Sequence, residues 1–390
     1  MITDNNPHPA GSDEHYMYRA LQLARRGLGW VSPNPLVGCV LVRDGQVLAE
    51  GWHAHYGEKH AEAAAVAAAG ECRGATAYVS LEPCSHNGRQ PRNCSTVLID
   101  AGVSRVVYAI EDPDPRSHAR SAEMLGAAGI RVEGGLLAAD AGLLNDAFAH
   151  NQQRGSCFIC LKLAMSLDGR IACANGHSQW LSGPRSLGYA HYLRQKHDAI
   201  MVGSGTVLAD NPRLSTRLSA LSTYLKDAAS LQIRNACRVV LDPQFSLLPE
   251  LGSLALADLS GDFRPELPRL LIAGARSSLP LQDTPPGVEL LGLDAVEGRM
   301  SFELLADALW QRGIRSMLVE GGAGVAAGLL RQEMVHQLSL VYTPQLLGAD
   351  AMPFSPALGL ERVGDAMHFS LLDSQRLDDD MLLILDRKSV

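Results

Sequence analysis

Apolar residues recur at helical spacing over residues 13–26, behind a Ser12 able to cap a helix N-terminus. Two short apolar runs, 37–42 and 46–50, flank Asp44-Gly45, a dipeptide that favours a tight hairpin turn. Residues 60–69 are rich in Ala and Glu and stop at Gly70, which predicts a helix beginning at His60. Runs at 75–81 and 105–110 read as strands, and 94–101 and 121–128 as helices. Alternating strands and helices predict a sheet covered by helices, an α/β layer domain.

The segment 149–156 is polar and contains Gly155, and a new series of strands follows it. The expected boundary lies there, giving domains over residues 12–150 and 156–390. In the second, strands are expected at 158–165, 199–202, 238–241, 269–272, 316–319 and 337–343, with a helix at 187–196. This alternation predicts a mostly parallel sheet. Residues 218–236 and 244–300 carry little pattern, and no internal repeat relates the two halves.

Composition narrows the function classes. An apolar content of 46% with 19% charged residues describes a globular chain. At 390 residues, two cores are expected. A net charge of -8 argues against non-specific nucleic-acid binding, which depends on Lys and Arg against phosphate. A few local arginines still suffice for one small anionic substrate. No apolar run approaches the roughly 18 residues of a membrane span, and residues 1–12 lack the apolar segment of a signal peptide. The 8 cysteines are scattered rather than clustered as in a disulfide scaffold, so a cytoplasmic protein with reduced thiols is expected. Cys157-Phe-Ile-Cys160 has redox spacing but lies in a strand-like run, whose alternation points the two thiols to opposite faces.

The chemistry concentrates in His60-Ala-Glu62, Glu82-Pro-Cys84 and Cys94. One imidazole and two thiols make a three-ligand zinc set that leaves a position for water, the pattern of catalytic rather than structural zinc. Glu62 then serves to move protons on and off that water. Nucleobase deaminases show this division as H-x-E followed by P-C-x-x-C, although here nine residues separate the cysteines. The competing reading, two buried thiols and a surface helix start, explains each piece alone but not their combination.

The run Ser80-Leu-Glu-Pro-Cys-Ser-His-Asn-Gly-Arg89 with Cys94, and Pro33-Asn-Pro35 and Val37-Gly-Cys39 upstream, resembles the deaminase half of the bifunctional riboflavin-biosynthesis deaminase/reductases. The resemblance implies a cytidine-deaminase-like three-layer fold, zinc on His60, Cys84 and Cys94, Glu62 as proton donor and acceptor, and pyrimidine contacts from Asn34, His53 and Arg89. It also implies a long loop between the two cysteines. The chain departs from the family in two places. Pro91-Arg-Asn-Cys94 stands where Pro-Pro-Cys is usual, which we read as a one-residue insertion, because Leu98-Ile99 and Ala101-Gly102 keep their distance from Cys94. A strict count from Cys84 would instead put Asn93 in the ligand position. Arg116 to Ser121 replaces a Val-Ala-Gly-x-Gly run, so a different loop conformation is expected.

Lys162, Ser166-Leu-Asp-Gly-Arg170, Ser178-Gln-Trp180, Arg194, the segment 205–217 and Val319-Glu-Gly-Gly322 resemble the reductase half of the same family. Read alone, Gly203-Ser-Gly205 is a weak dinucleotide signal, and Glu320-Gly-Gly322 after a strand is a better one. The resemblance implies a dihydrofolate-reductase-like fold using NADPH, with cofactor contacts from Ala164, Trp180, Thr206, Asp210 and the stretch from Gly322. It implies substrate contacts from Ser178, Arg194, Leu214, Arg217 and Glu320. Two arginines suit a ribose phosphate. Lys162 and Asp210 are candidates for polarising or protonating the sugar centre that receives hydride.

The expected activity is zinc-dependent hydrolytic deamination of 2,5-diamino-6-ribosylamino-4(3H)-pyrimidinone 5′-phosphate, followed by NADPH-dependent reduction of ribosyl to ribityl. The expected partner is this small molecule, with neither nucleic acid nor membrane, and a homo-oligomer is the expected assembly. Two rivals are a nucleic-acid deaminase and a zinc-stabilised, non-catalytic deaminase-like module fused to an active reductase.

Overall fold

The computed structural model describes residues 5–86, 92–114, 116–117, 120–179, 181–281, 283–296, 299–355 and 357–388. It divides into two compact units, Met1–Gly155 with Ala229–Gln232, and Ser156–Ala228 with Ile233–Val390. Among the described residues, no helix is long and apolar enough to cross a membrane.

The first unit is built on a 5-stranded sheet. In spatial order its strands are Gln46–Trp52, Gly38–Arg43, Thr76–Val79, Arg105–Tyr108 and Arg131–Gly134. The first three pair antiparallel and the rest parallel. Asp44 and Gly45 both take positive φ, 52° and 75°, as the hairpin turn demands. Ser12 caps the helix Asp13–Ala24 by accepting from the His15 amide at 3.1 Å. Two glycines let helices settle on this sheet. A Cβ on Gly38 would lie 2.0 Å from the Ala20 carbonyl, and one on Gly51 2.4 Å from that of Ala61. Leu41, Ala65, Val79, Leu98, Val106 and Leu125 fill the core between the layers.

The second unit holds a 9-stranded sheet. Its spatial order is Val288–Leu293, Leu270–Ala275, Cys237–Leu241, Ala199–Gly203, Ser316–Val319, Phe158–Ser166, Gln337–Thr343, Asp380–Arg387 and Phe369–Leu377. The first seven run parallel and the last two close the edge as an antiparallel hairpin. The central strands are buried at nearly every position, as parallel strands inside a sheet are.

Several local expectations change. His60 is not in the first helical turn; it is the extended N-cap of Ala61–Ala69, with φ -69° and ψ 161°. The polar stretch at the expected boundary is largely helix, Asp146–Arg154, ended by Gly155 in the left-handed region. Gly203-Ser-Gly205 starts a helix, with Gly203 as the N-cap of Ser204–Asp210. The pattern-poor segments contain the helix Leu218–Tyr224 and the edge strand Val288–Leu293. Cys157 and Cys160 are buried and unbonded to each other, and burial pushes the Cys157 thiol up.

Candidate active sites

In the first unit a helix start, a strand exit and a second helix start converge. Gly51 lets Ala61–Ala69 approach the sheet, which carries His60 and Glu62 to the sheet's end. Beyond the strand Thr76–Val79, the chain leads through Glu82 to Cys84, whose carbonyl accepts from the Ser95 amide and hydroxyl, both at 3.1 Å. These bonds fasten Cys84 to the start of the helix Cys94–Asp100. The Cys94 amide also donates to Cys84 Sγ at 3.3 Å.

His60 Nδ1 lies 3.3 Å from Cys94 Sγ and 3.7 Å from Cys84 Sγ, and the three ligand atoms fall within 4.8 Å of one another. A tetrahedral zinc with ordinary Zn–N and Zn–S bonds separates its nitrogen and sulfur ligands by about 3.6 Å, so this triangle fits the ion. Asn93, the alternative ligand by strict count, is the helix N-cap. Its Oδ1 accepts from the Thr96 amide at 2.8 Å, and its Nδ2 donates to the Ser85 carbonyl at 3.1 Å. The hydrogen bond from Cys94 and the neighbouring His60 pull the Cys84 thiol down to about 4. That pairing and burial push Cys94 up. The side chains thus favour one thiolate, and a bound cation would favour both.

Glu62 is 3% exposed, and burial, reinforced by Cys84, pushes its carboxyl up to about 7. A carboxyl poised near neutrality suits general acid–base work. Glu62 and the three ligands line a cavity of about 490 Å³ with Asn34, His53, His86, Asp112 and Arg116. His53 Nδ1 meets the Lys59 carbonyl at 3.1 Å, so Nδ1 carries the hydrogen and Nε2 accepts from Asn34 Nδ2 at 3.1 Å. Burial lowers the His53 pKa, which favours the neutral ring. Arg89 lies outside the described residues. The sequence reading assigned no role to Glu82, which accepts from Ser121 Oγ at 2.6 Å and the Asp112 amide at 3.1 Å. In the altered loop, Arg116 folds back on Asp114 at 2.6 Å.

In the second unit Lys162 and Ala164 share the half-buried face of Phe158–Ser166, while Leu161, Leu163 and Met165 face the core. Arg194 forks onto Glu320 at 2.8 and 2.6 Å and donates to the Ser215 carbonyl at 3.1 Å. Of the two arginines expected at a phosphate, Arg194 is paired with Glu320 and Arg217 is exposed. Burial lowers the Lys162 pKa against the opposing pull of Glu320. Leu214 is buried at φ 53°, a strained position for a bulky side chain. His191 had no sequence signal; its Nδ1 accepts from the Arg217 amide at 3.0 Å, and burial then Arg194 push its pKa down to about 3.

Adjacent parallel strands, Ala199–Gly203 and Ser316–Val319, each lead toward a helix whose N-cap is glycine, Gly203 or Gly322, with no side-chain cap. Paired helix starts at strand C-terminal ends suit an anionic dinucleotide. A Cβ on Gly322 would meet Thr206 Oγ1 at 3.3 Å, which brings those two residues together, whereas Gly205 and Gly324 border open space. These features fit a phosphate-bearing cofactor. Gly321 has a packing reason instead, since its Cβ would lie 2.8 Å from Val325 Cβ. Ser178 and Asp210 are exposed, and Trp180 lies outside the described residues. Asp168, part of the Ser166–Arg170 motif but given no role there, accepts from Ser166 Oγ at 2.5 Å and the Gly348 amide at 2.8 Å, pinning the loop after Phe158–Ser166.

Comparison with known proteins identifies the family. Residues 157–383 match the family model described as RibD C-terminal domain, and residues 10–110 match the cytidine and deoxycytidylate deaminase zinc-binding region. The riboflavin biosynthesis protein RibD of Escherichia coli (strain K12) is 39% identical over 381 residues, covering 96% of this chain and 99% of that protein. A solved Acinetobacter baumannii RibD structure superposes with a TM-score of 0.76 at 33% identity, covering 97% of this chain and 99% of that one. The Thermotoga maritima diaminohydroxyphosphoribosylaminopyrimidine deaminase/5-amino-6-(5-phosphoribosylamino)uracil reductase gives 0.78 at 32% identity, covering 96% and 99%. With both units matched over nearly their whole length, the chain belongs to the RibD family of bifunctional deaminase/reductases of riboflavin biosynthesis.

Proposed function

We propose that the first unit deaminates 2,5-diamino-6-ribosylamino-4(3H)-pyrimidinone 5′-phosphate and the second reduces the ribosyl group of the product to ribityl, in the cytoplasm. The observation that carries the first half is the His60, Cys84 and Cys94 triangle with Glu62 buried in the same cavity. Zinc held there supplies the Lewis acidity that makes water nucleophilic at neutral pH. Glu62 takes the proton of the attacking water and delivers it to the departing amino group, so that water and amine become carbonyl and ammonia. Asn34 and His53 orient the pyrimidine, together with Arg89.

For the second half, NADPH supplies the hydride. Thr206, Gly322, Ala164, Trp180 and Asp210 would hold the cofactor. Ser178, Leu214, Arg217 and the Arg194–Glu320 pair would hold the sugar phosphate. The half-buried side chain of Lys162, within the electrostatic reach of Glu320, supports it over the exposed Asp210 as the source of the proton that accompanies hydride. The enzyme is proposed to work as a homo-oligomer.

Zinc content and ammonia release, measured on Cys94→Ala and Asn93→Ser, test the ligand set. Serine keeps the N-cap. The expected result is loss of zinc and deamination in Cys94→Ala alone; zinc lost from Asn93→Ser and retained by Cys94→Ala overturns it.

A further inference from the structure

The helix Asp146–Arg154 lies beyond residues 10–110, the stretch that matches the deaminase zinc-binding region, yet its Phe148 and Gln152 line the cavity of the metal triangle. Asn145 stands at the head of this helix, spaced from those two residues by about one and two turns. Its buried carboxamide clasps the backbone of Leu36: Oδ1 accepts from the Leu36 amide at 2.8 Å, and Nδ2 donates to the Leu36 carbonyl at 3.0 Å. This is the two-bond exchange of paired strands, made by a side chain in place of a second strand. Asn145 is itself held, since its amide donates to the Ala141 carbonyl at 3.1 Å and its carbonyl accepts from the Ala149 amide at 2.9 Å.

Leu36 is two residues from Asn34, which lines the cavity and donates from Nδ2 to His53 Nε2 at 3.1 Å. Pro33 and Pro35 fix φ on either side of Asn34, so few free torsions separate Asn34 from Leu36. The Asn34 amide donates to the Val31 carbonyl at 2.9 Å, and the His53 amide to the Val37 carbonyl at 3.0 Å. The clasp on Leu36 adds a third fixed point between these two. Truncating Asn145 removes the partners of a buried amide and a buried carbonyl at once, which loosens the segment beside Asn34.

We propose that Asn145 is a positioning residue of the deaminase site: by clasping the Leu36 backbone it sets the Asn34 carboxamide against the pyrimidine and joins the helix Asp146–Arg154 to the cavity wall. The inference rests on reading this cavity as the deaminase site and Asn34 as a pyrimidine contact. Steady-state ammonia release and ¹⁵N-asparagine NMR, both on the zinc-loaded full chain, test it with Asn145→Ala, Asn145→Asp, Asn34→Ala and the double variants. Asp fills the same space but cannot donate to the Leu36 carbonyl. Asn34→Ala identifies the Asn34 side-chain signal.

Asn34→Ala should raise KM about fivefold, the effect of one ordinary hydrogen bond. Asn145→Ala should raise it by about as much, with zinc retained and kcat changed less than about twofold. The double variant should also stay about fivefold, because Asn145 acts through Asn34, whereas independent effects would multiply to about 25-fold. The Asn34 amide signal, shifted in the unsubstituted chain by its bond to His53, should move toward that of a free amide in both Asn145 variants. Effects that multiply, an unchanged KM in Asn145→Ala, or an unmoved Asn34 signal overturn the proposal, as does a fall of zinc content and kcat with KM constant. If Asn145→Ala fails to fold, Asn145→Asp and its combination with Asn34→Ala decide the matter. An unchanged KM in Asn34→Ala removes the pyrimidine contact and the proposal with it. Absence of ammonia release from the unsubstituted chain would count against the deaminase reading, while the Asn34 signal still judges Asn145.

Discussion

The Arg194–Glu320 pair makes a quantitative test of how the second site is held. The two side chains retain 14% and 15% of their exposure and meet through a bidentate fork at 2.8 and 2.6 Å. Removing one member of a buried pair costs about 3–5 kcal/mol, because the remaining charge is left without its counterion. Residual exposure and the nearby Lys162 offset part of that cost, so Arg194→Ala should lose about 3 kcal/mol. For a unit of this size that lowers the melting midpoint by roughly 6–12 °C. Arg276 and Asp294 form an exposed pair at 2.8 Å, with 61% and 68% exposure, and serve as the control. Arg276→Ala should cost less than about 1 kcal/mol.

The pH dependence has a definite sign. Burial alone would raise the Glu320 pKa, but Arg194 and then Lys162 hold it below its ordinary value. The pair's contribution is therefore fully present above the unfolded carboxyl pKa of about 4.3 and is lost as pH falls through the lower folded value. In Arg194→Ala the burial effect dominates and Glu320 rises, so this variant gains relative stability as pH drops from neutrality. The gap between the two proteins should narrow toward pH ~4. Denaturant titrations at several pH values measure it. A gap that is independent of pH, or no larger than that of Arg276→Ala, refutes the reasoning.

Other predictions follow from the first unit. Glu62→Gln should keep its zinc but lose at least about 100-fold in ammonia release, the lower range for a general acid–base group; metal analysis and an ammonia assay check both. Gly51→Ala inserts a Cβ 2.4 Å from the Ala61 carbonyl and 2.5 Å from the Ala65 amide. It should displace the helix that carries His60 and Glu62 and lower zinc occupancy, while NADPH oxidation with predeaminated substrate is unaffected.

The readable parts of the sequence are those where local chemistry and burial agree. Ser316–Val319 and Gln337–Thr343 are rich in apolar residues and buried at nearly every position because they lie inside the sheet, and Asp44-Gly45 declares its turn. Edge elements hide. Arg131–Gly134 is short and half exposed, and the hairpin Phe369–Leu377 with Asp380–Arg387 mixes charged and apolar positions. Asp146–Arg154 looks like a linker because its residues are mostly polar.

The same division applies to the sites. His60 and Glu62 are two residues apart, and their chemistry is visible from that spacing. Arg194 and Glu320 are 126 residues apart, and Leu36 and Asn145 are 109 apart, so only folding joins them. The glycines also mislead when read alone. Gly321 satisfies helix packing against Val325, while its neighbour Gly322 caps a helix beside Thr206.

The most direct test of the account offers the purified, zinc-loaded chain its diaminopyrimidine phosphate with and without NADPH. The account predicts ammonia release in both cases and NADPH oxidation only once deaminated product has formed. NADPH oxidation that precedes ammonia release, or that persists with undeaminated substrate in Glu62→Gln, would contradict it.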